Sequence, residues 1–445
     1  MDSGSALKRF ERLVRRVFSA ALLVSGSHGG FAQTVPTGFS DALVMGGWNQ
    51  LTGFTFDANG RWYVWERTGK VWIVENGVKL ATPLIDISEE VGNWGDHGLL
   101  GFALDPNFTT NGKIYLMYVV DRYYWLNHGL AGYDQYASTP NSATFMRITR
   151  YTAIGPAHNA VDVNSRSVLF GETPQTAAAI THGSHGVGTL LFGTDGTLLA
   201  SMGDGASYNV VDVGSNGDTY FQQALTDGIL TAKTNVGAMR AQLIDCANGK
   251  ILRLDPNTGD GIASNPFYDG TQPRAMESRV WALGVRNSYR MVLRPGTGDT
   301  DPSLGHPGTI IFGDVGWQTW EELNVCYEGG MNFGWPIYEG LNAQPGYNAA
   351  LTPDPDAPNP LFGQGGCAQQ YFNFQDLITQ DSPVHLNGHP NPCNGAVQVP
   401  PNIPVFFHAR PEIDWVHGNE SRCGSFSGNA AVTFDLDVAD RKSVV

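Results

Sequence analysis

Charged residues are scarce in this sequence, and the spacing typical of an amphipathic helix is almost absent. Only 16% of the 445 residues are Asp, Glu, Lys or Arg. Acidic residues outnumber basic ones by 42 to 27, which gives a net charge of −15. This balance argues against nucleic acid and anionic membrane surfaces as partners. The lack of helical periodicity argues against a helical fold.

The sequence also has no apolar run long enough to cross a membrane. The apolar stretch at residues 17–24 is far too short to span a bilayer. It follows a group of basic residues, and small residues at 30–32 offer a cleavage site. This arrangement predicts a signal peptide over residues 1–32. We therefore expect a secreted or periplasmic protein without a membrane span.

Cysteine is scarce as well, with only 5 residues and no CxxC pair, which argues against structural zinc. Cys367 and Cys393 bracket a stretch rich in Pro, Asn and Gly, and a disulfide between them would stabilise it. Cys423 is an alternative partner for Cys393. Because the number of cysteines is odd, at least one thiol has no partner within the chain.

Glycine and proline are abundant, at 55 and 25 residues, and 11% of the chain is aromatic. One pattern recurs: an apolar stretch, an Asp and a turn, a Gly often with a basic residue, and a second apolar stretch. It occurs at residues 53–64, 101–118 and 190–202. Repeated strand pairs of this kind predict an all-β fold, a β-propeller over residues 33–445. We interpret the Pro-, Asn- and Gln-rich segment 340–404 as a loop insertion.

The segment 181–205 carries the first chemical signal. The turn Thr194-Asp195-Gly196 predicts a hairpin of two half-buried strands, with His185 before the first strand and Asp204 after the second. The ends of an antiparallel hairpin lie side by side, so these two side chains can share a pocket. A neutral imidazole held by a carboxylate is a proton acceptor that works near neutral pH. We interpret His182 as a loop histidine.

Five segments in this order resemble the soluble glucose/sorbosone dehydrogenase family. The resemblance runs from about Pro36 to Phe434 and implies a six-bladed propeller that uses pyrroloquinoline quinone (PQQ) and calcium. The segments are DHGLLGFALDPNF (96–108), SHGVGTLLFGTDGTLLASMGDG (184–205), GKILRLDP (249–256), VWALGVRNSYRMVL (280–293) and GDVGWQTWEELN with GGMNFGWP (313–336).

The resemblance implies roles for single residues. His185 matches the family's general base, which takes the proton of the C1 hydroxyl of a sugar while hydride moves to the quinone. Asp204 matches the carboxylate that orients this histidine. Arg286 and Asn287 match the pair that contacts the quinone, where a guanidinium suits carboxylate and carbonyl oxygens. Asp96 falls at a polar position near the cofactor.

The resemblance also implies a calcium site. The backbone carbonyls of Gly316 and Trp317 fall where the family holds calcium, and Glu321 falls at an acidic position beside that site. Ser184 and Val315 depart from the residues of the glucose-oxidising members. The motifs GDVG and WEELN look more like the aldose sugar dehydrogenase and hedgehog-interacting-protein-like branches of the family.

The last blade is expected to be incomplete. The family takes a lysine and two arginines for PQQ from this blade, beyond the region that matches residues 424–434. Trp415 and His417 fall roughly where aromatic side chains line the family's substrate pocket. The tryptophans at 317, 320 and 335 are expected to pack between blades.

These features predict an exported quinoprotein sugar dehydrogenase that oxidises an aldose-type sugar at C1 and passes electrons to an external acceptor. A non-catalytic propeller that binds a protein or a glycan is the first alternative, favoured by the incomplete last blade. A calcium-dependent propeller lactonase is the second. The lactonase would need side-chain carboxylate or amide ligands around a central tunnel.

Overall fold

The computed structural model describes residues 38, 40, 42–380 and 388–416. The chain divides into two compact units, Met1–Gly47 and Trp48–Val445, and every element named below belongs to the second unit. Within the described residues the fold is all-β, as predicted, with a few short helices. None of these helices has the length and hydropathy needed to cross a membrane. The predicted signal peptide, residues 1–32, lies outside the described residues.

Four antiparallel sheets of four or five strands follow one another along the chain. The first contains β1 (Leu51–Phe56), β2 (Trp62–Glu66), β3 (Lys70–Glu75), β4 (Val78–Lys79) and β5 (Ile85–Asp86). The second contains β6 (Leu99–Leu104), β7 (Lys113–Val119), β8 (Thr144–Ile154), β9 (Ala160–Phe170) and β10 (Ala179–Ile180). The third contains β11 (Val187–Phe192), β12 (Leu198–Met202), β13 (Lys250–Leu254) and β14 (Val280–Leu283).

The fourth sheet closes with a strand from much later in the chain. Its first three strands are β15 (Arg290–Leu293), β16 (Ile310–Asp314) and β17 (Trp320–Cys326). Four two-stranded sheets then follow, built from β18 (Tyr338–Glu339), β19 (Asn342–Ala343), β20 (Pro353–Pro358), β21 (Tyr371–Asn373), β22 (Ile378–Thr379), β23 (Pro390–Asn391), β24 (Asn394–Gln398) and β25 (Phe406–Phe407). Finally β26 (Ile413–Val416) pairs with β17.

The helices are one or two turns long and connect the strands. The α-helices are α1 (Phe108–Asn111), α2 (Arg122–Asn127), α3 (Phe221–Thr226), α4 (Met276–Arg279) and α5 (Pro345–Ala349). The 3₁₀ helices are Pro174–Thr176, Gly237–Gln242, Pro302–Leu304 and Phe374–Asp376.

The four large sheets are arranged as propeller blades. The first strand of each sheet lies at the sheet's edge, and it contacts the first strand of the next sheet: β1 with β6, β6 with β11, and β11 with β15. Residues of these four strands line a cavity of about 300 Å³. Arg290 on β15 donates a hydrogen bond to the carbonyl of Thr52 on β1. Radial sheets with their first strands around one axis are the defining feature of a propeller.

Two sequence-based expectations need correction. The described residues contain four blades where six were predicted, because residues 338–380 and 388–407 form two-stranded sheets instead of blades. In addition, β12 was expected to be half-buried, but all five of its residues are buried. An inner strand between β11 and β13 has a neighbouring blade on each face, so both of its faces are covered.

The insertion predicted over residues 340–404 contains a small core and a disulfide. Cys367 and Cys393 are joined, which confirms the first of the two predicted pairings, whereas Cys423 lies outside the described residues. A separate cluster of buried apolar side chains lies within the same segment: Ala357, Phe372, Leu377, Val399 and Ile403.

Candidate functional site

The hairpin of β11 and β12 brings His185 and Asp204 together. The pair Val187–Met202 is the last register pair at this end, and the Gly203 amide then donates to the Gly186 carbonyl over 2.7 Å. One residue further out, His185 Nδ1 lies 2.8 Å from Asp204 Oδ1. Both side chains are buried, at 4% and 1% exposure. The hairpin predicted from the sequence is confirmed, and so is the proximity of the two residues.

The backbone around this pair is too tight for larger residues. His185 has a φ of 58°, in the left-handed region of backbone conformation that is uncommon for residues other than glycine. A Cβ at Gly203 would lie 2.4 Å from the His185 carbonyl oxygen, so only glycine fits there. The glycines that flank this pair in the sequence therefore allow the two strand ends to approach.

Asp204 is held as an anion by several donors. Its Oδ2 accepts a hydrogen bond from Trp335 Nε1 over 2.8 Å, and its Oδ1 accepts from the Ala206 amide over 3.0 Å. Burial alone would raise the pKa of Asp204, but the neighbouring His185 and Arg286 side chains and the Ala206 amide lower it below its ordinary value. An anionic Asp204 makes His185 Nδ1 the donor, so a neutral His185 carries its lone pair on Nε2.

Arg286 and Asn287 follow β14 and lie beside this pair. The Arg286 carbonyl accepts a hydrogen bond from the Asp204 amide over 2.8 Å. Both residues donate their own amides to the carboxylate of Asp314, over 2.8 and 2.6 Å. Asp314 is buried, and burial raises the pKa of its carboxyl group. Hydrogen bonds to two aspartates, one on each side, thus fix the backbone at Arg286 and Asn287.

The Arg286 side chain contacts the loop that was predicted to hold calcium. Its Nη1 donates to the carbonyls of Val315 and Gly316, over 2.9 and 2.7 Å. The guanidinium lies 5.2 Å from the centre of the Trp335 ring, a cation–π contact. Its Nε is buried and has no hydrogen-bond partner. A buried guanidinium nitrogen without an acceptor suits an oxygen-rich ligand.

The predicted calcium residues also meet here. Glu321 is completely buried, and its Oε2 accepts from the Gly316 amide over 2.9 Å. Opposite Glu321 on β26 lies Trp415, whereas His417 is outside the described residues. Within the described part of the chain, no three His, Cys, Asp or Glu side chains group as a metal site. A calcium site at this place would therefore depend mainly on backbone carbonyls.

The carbonyl of Gly316 suits calcium as a ligand, but a positive charge already contacts it. This carbonyl is the kind of oxygen ligand that calcium takes, and a carbonyl has two lone pairs. However, the Arg286 guanidinium already donates to this oxygen over 2.7 Å. Two cations on one oxygen repel each other, so calcium fits there only if the guanidinium turns away.

Asp96 lies at the edge of the same site. Ser184 Oγ donates to its carboxylate, and its amide donates to the Gly183 carbonyl over 2.9 Å. Asp96 is thus attached to the segment that leads into His185. The eight residues predicted for catalysis, the quinone and calcium therefore belong to one region, connected by direct contacts.

Three further residues of the site were not predicted. Tyr208 is 47% exposed, and its ring lies 6.3 Å from the His185 ring and 4.7 Å from the His182 ring. Trp335 was expected only to pack, but its indole N–H also bonds Asp204. Glu339 accepts hydrogen bonds from the loop after Gly316. No local pattern in the sequence indicates these contacts, because the partners lie more than 20 residues apart in the chain and meet only where the loops pack together.

The described fold and site define an all-β propeller with a buried His–Asp pair beside a buried arginine. The chain belongs to the glucose/sorbosone dehydrogenase family, whose model matches residues 49–363.

Known proteins with similarity to this chain carry different names. The HIPL1 protein of Arabidopsis thaliana is 27% identical over 79% of this chain and 51% of its own length. Quinoprotein glucose dehydrogenase B of Acinetobacter calcoaceticus is 23% identical over 71% of this chain and 56% of its own length. The PQQ-bound aldose sugar dehydrogenase of Streptomyces coelicolor has a similar structure with a TM-score of 0.44, at 21% identity over 68% of this chain and 67% of that one. The chain spans about half the length of the curated relatives it matches.

Proposed function

We propose that this protein is an exported quinoprotein sugar dehydrogenase that oxidises an aldose-type sugar at C1. The observation that carries the proposal is the buried His185–Asp204 pair, at 2.8 Å, beside a buried arginine in a member of this family. Bound PQQ would supply the acceptor for the hydride that leaves C1. An external acceptor would then take the electrons.

His185 would act as the general base. With Nδ1 donating to Asp204, its Nε2 would take the proton of the C1 hydroxyl as hydride leaves C1, so that the sugar becomes a lactone. Asp204 would stabilise the imidazolium that forms, because it is an anion held by Trp335 and Ala206. A positioned base of this kind contributes roughly 10²- to 10⁴-fold in rate.

Arg286, Asn287 and Asp96 would hold the quinone. The unpartnered Nε of Arg286 supports this role, because the guanidinium has a donor left for an oxygen of a ligand. Calcium would bind the carbonyls of Gly316 and Trp317, with Glu321 adding negative charge nearby. Its binding would require Arg286 to release the Gly316 carbonyl and direct that donor to the quinone.

A non-catalytic propeller that binds a protein or a glycan is the second candidate. The pairing of Arg286 with the Gly316 carbonyl favours it, because this contact already occupies the carbonyl oxygen without a metal. The similarity to HIPL1, a family relative that is not named as a dehydrogenase, points the same way.

A titration with PQQ separates the two candidates. The purified protein is titrated with PQQ in the presence of calcium, by absorbance, and sugars are then added. We expect stoichiometric binding and sugar-dependent reduction of the quinone. In a His185→Asn variant, binding should persist and reduction should fall by roughly 100-fold or more. Asparagine is chosen because it tolerates the left-handed backbone of this position.

Two results of this experiment would contradict the proposal. A folded protein that does not bind PQQ with calcium present would refute the dehydrogenase proposal and favour the binding module. Undiminished sugar oxidation in His185→Asn would refute the role of His185 as the base.

A further inference from the structure

One carboxylate oxygen accepts hydrogen bonds from four successive backbone amides, three in the loop between β16 and β17 and one at the first residue of β17. Glu339 Oε1 lies 2.8, 2.8, 2.9 and 3.2 Å from the amide nitrogens of residues 317, 318, 319 and 320. Glu339 belongs to β18 and is only 4% exposed. The loop therefore forms a nest of N–H groups around a buried anion that the protein itself supplies.

The geometry of the peptide bond relates this nest to the carbonyls of the loop. In a trans peptide the N–H of one residue and the C=O of the preceding residue point in opposite directions. Because the amides of Trp317 and Gln318 point at Glu339, the carbonyls of Gly316 and Trp317 point away from it. The position of Arg286 agrees, since its Nη1 reaches the Gly316 carbonyl from the other side of the loop.

Glu321 orients a different peptide of the loop. It accepts from the amide of Gly316, so by the same reasoning it directs the carbonyl of Val315, which also bonds Arg286. The loop is tight: a Cβ at Gly316 would lie 1.7 Å from the Trp320 carbonyl oxygen. Because the loop is packed tightly, the direction of each carbonyl depends on the carboxylate that accepts a hydrogen bond from the N–H of the same peptide group.

We propose that Glu339 is a positioning residue: through the amides of residues 317 and 318 it directs the Gly316 and Trp317 carbonyls toward the proposed cation site. The calcium part of this inference rests on the function proposed above. The orientation of the loop does not, because it follows from the hydrogen bonds of Glu339 alone. Glu339 does not touch a reactant, so its effect would appear in cation binding before it appears in chemistry.

The test compares Glu339→Gln with a matched variant, Glu322→Gln. Glu322 on β17 is also buried, but it accepts from the Gly340 amide and from Asn324 Nδ2 and makes no recorded hydrogen bond to residues 317–320. Two properties are measured on the full chain: hydrogen exchange of the amides at 317–320, and calcium affinity by calorimetry. Melting temperature and circular dichroism confirm that each variant is folded.

We expect slow exchange of these amides in the wild type and exchange about tenfold faster or more in Glu339→Gln. Calcium affinity should fall about 10- to 100-fold in Glu339→Gln, as for other residues that orient metal ligands. Both properties should stay close to wild type in Glu322→Gln.

Other outcomes separate the inference from the proposed function. Calcium affinity that is equal in the wild type and Glu339→Gln would overturn the inference while leaving the dehydrogenase intact. Unprotected amides at 317–320 in the wild type would overturn it as well. If the wild type binds neither calcium nor PQQ, yet its loop amides are protected and Glu339→Gln exposes them, the proposed function fails and the orienting role of Glu339 is supported.

Discussion

Asp354 is a buried acid whose charged form is disfavoured by its surroundings. It is only 8% exposed, and burial, with a further contribution from Asp356, raises the pKa of its carboxyl group from 3.8 to about 6. Because the pKa is higher in the folded state, the stability that this carboxyl group contributes is fully present when the pH is below its unfolded-state pKa. That contribution is lost as the pH rises through the folded-state value.

The replacement Asp354→Asn should therefore stabilise the protein at neutral pH. The amide oxygen can keep the hydrogen bond from the Asp356 amide, and the cost of burying a charge disappears. The gain in the free energy of unfolding should be up to about 3 kcal/mol, and it should vanish near pH 4. Urea denaturation at several pH values measures it.

The exposed neighbour provides the control for this prediction. Asp356 is paired with Lys233 at the surface, so Asp356→Asn should change stability by less than about 1 kcal/mol. A loss of stability in Asp354→Asn at neutral pH would contradict the prediction, because it would mean that the carboxylate is favoured where it lies.

At the scale of single residues, the sequence predicts the contacts that are set by the strand register of one hairpin. His185 and Asp204 are 19 positions apart and lie at the open end of one hairpin, so their proximity was predictable. The bond from Trp335 to Asp204 joins residues 131 positions apart. The side chain of Glu339, on the two-stranded sheet of β18 and β19, bonds a loop of the fourth blade. Such contacts depend on how blades pack, and no pattern along the chain specifies them.

Among the elements, the β11–β12 hairpin is fixed to its own sheet by a buried ion pair. The side chains of Arg253 on β13 and Asp195 in the turn are both 0% exposed, with Nη2 and Oδ2 2.6 Å apart. The guanidinium also donates to Asn265 Oδ1 over 3.0 Å and to the Pro302 carbonyl over 2.8 Å. One side chain thus connects the hairpin turn to two loops.

Arg253→Met should destabilise the protein by about 3–5 kcal/mol, because it leaves a buried carboxylate without its partner. Arg253→Lys should recover only part of this loss, since an ammonium cannot reach all the same acceptors. Urea denaturation of the variants gives the values.

The surface pair Lys70–Asp86, with side chains 36% and 40% exposed, is the matched control. Lys70→Met should cost less than about 1 kcal/mol. Equal losses at the two pairs would show that burial does not govern the strength of the Arg253 pair.

The elements that the sequence predicted well are those with strong turn signals. The β11–β12 turn is an example, whereas β9 is not part of any of the strand–turn repeats found in the sequence. This strand forms a ribbon with β8, and only its last two residues, Leu169 and Phe170, are buried. The rest of the strand is held by its pairing with β8, which no local pattern in the sequence specifies.

For the whole molecule, the all-β class and the repeat were predictable because each blade repeats the same strand–turn pattern. The number of blades within residues 338–407 was not, because short Pro-rich strands pair only in twos there. The strands of that segment pair with one another, and five of its buried side chains form a cluster of their own. Its Tyr347, Phe374 and Ile378 pack in a second cluster with the connection between β12 and β13, outside the four sheets. We expect it to open independently of the four sheets.

The disulfide makes this last expectation testable. Cys367 and Cys393 close a loop of 26 residues, and a crosslink of this size contributes about 3 kcal/mol. In a Cys367→Ser/Cys393→Ser variant, the free energy of opening residues 353–407 should fall by that amount, while the unfolding of the four sheets changes little. Hydrogen exchange resolved by peptide measures both.

A reductant provides the control, because it should reproduce the effect in the wild type and do nothing further in the double variant. The other described cysteines, Cys246 and Cys326, are buried free thiols. If the insertion and the sheets instead lose protection together and by the same amount, the molecule unfolds as one cooperative unit. The insertion would then be an integral part of the propeller, and its contacts with β17 and β26 would have to carry as much stability as the blades themselves.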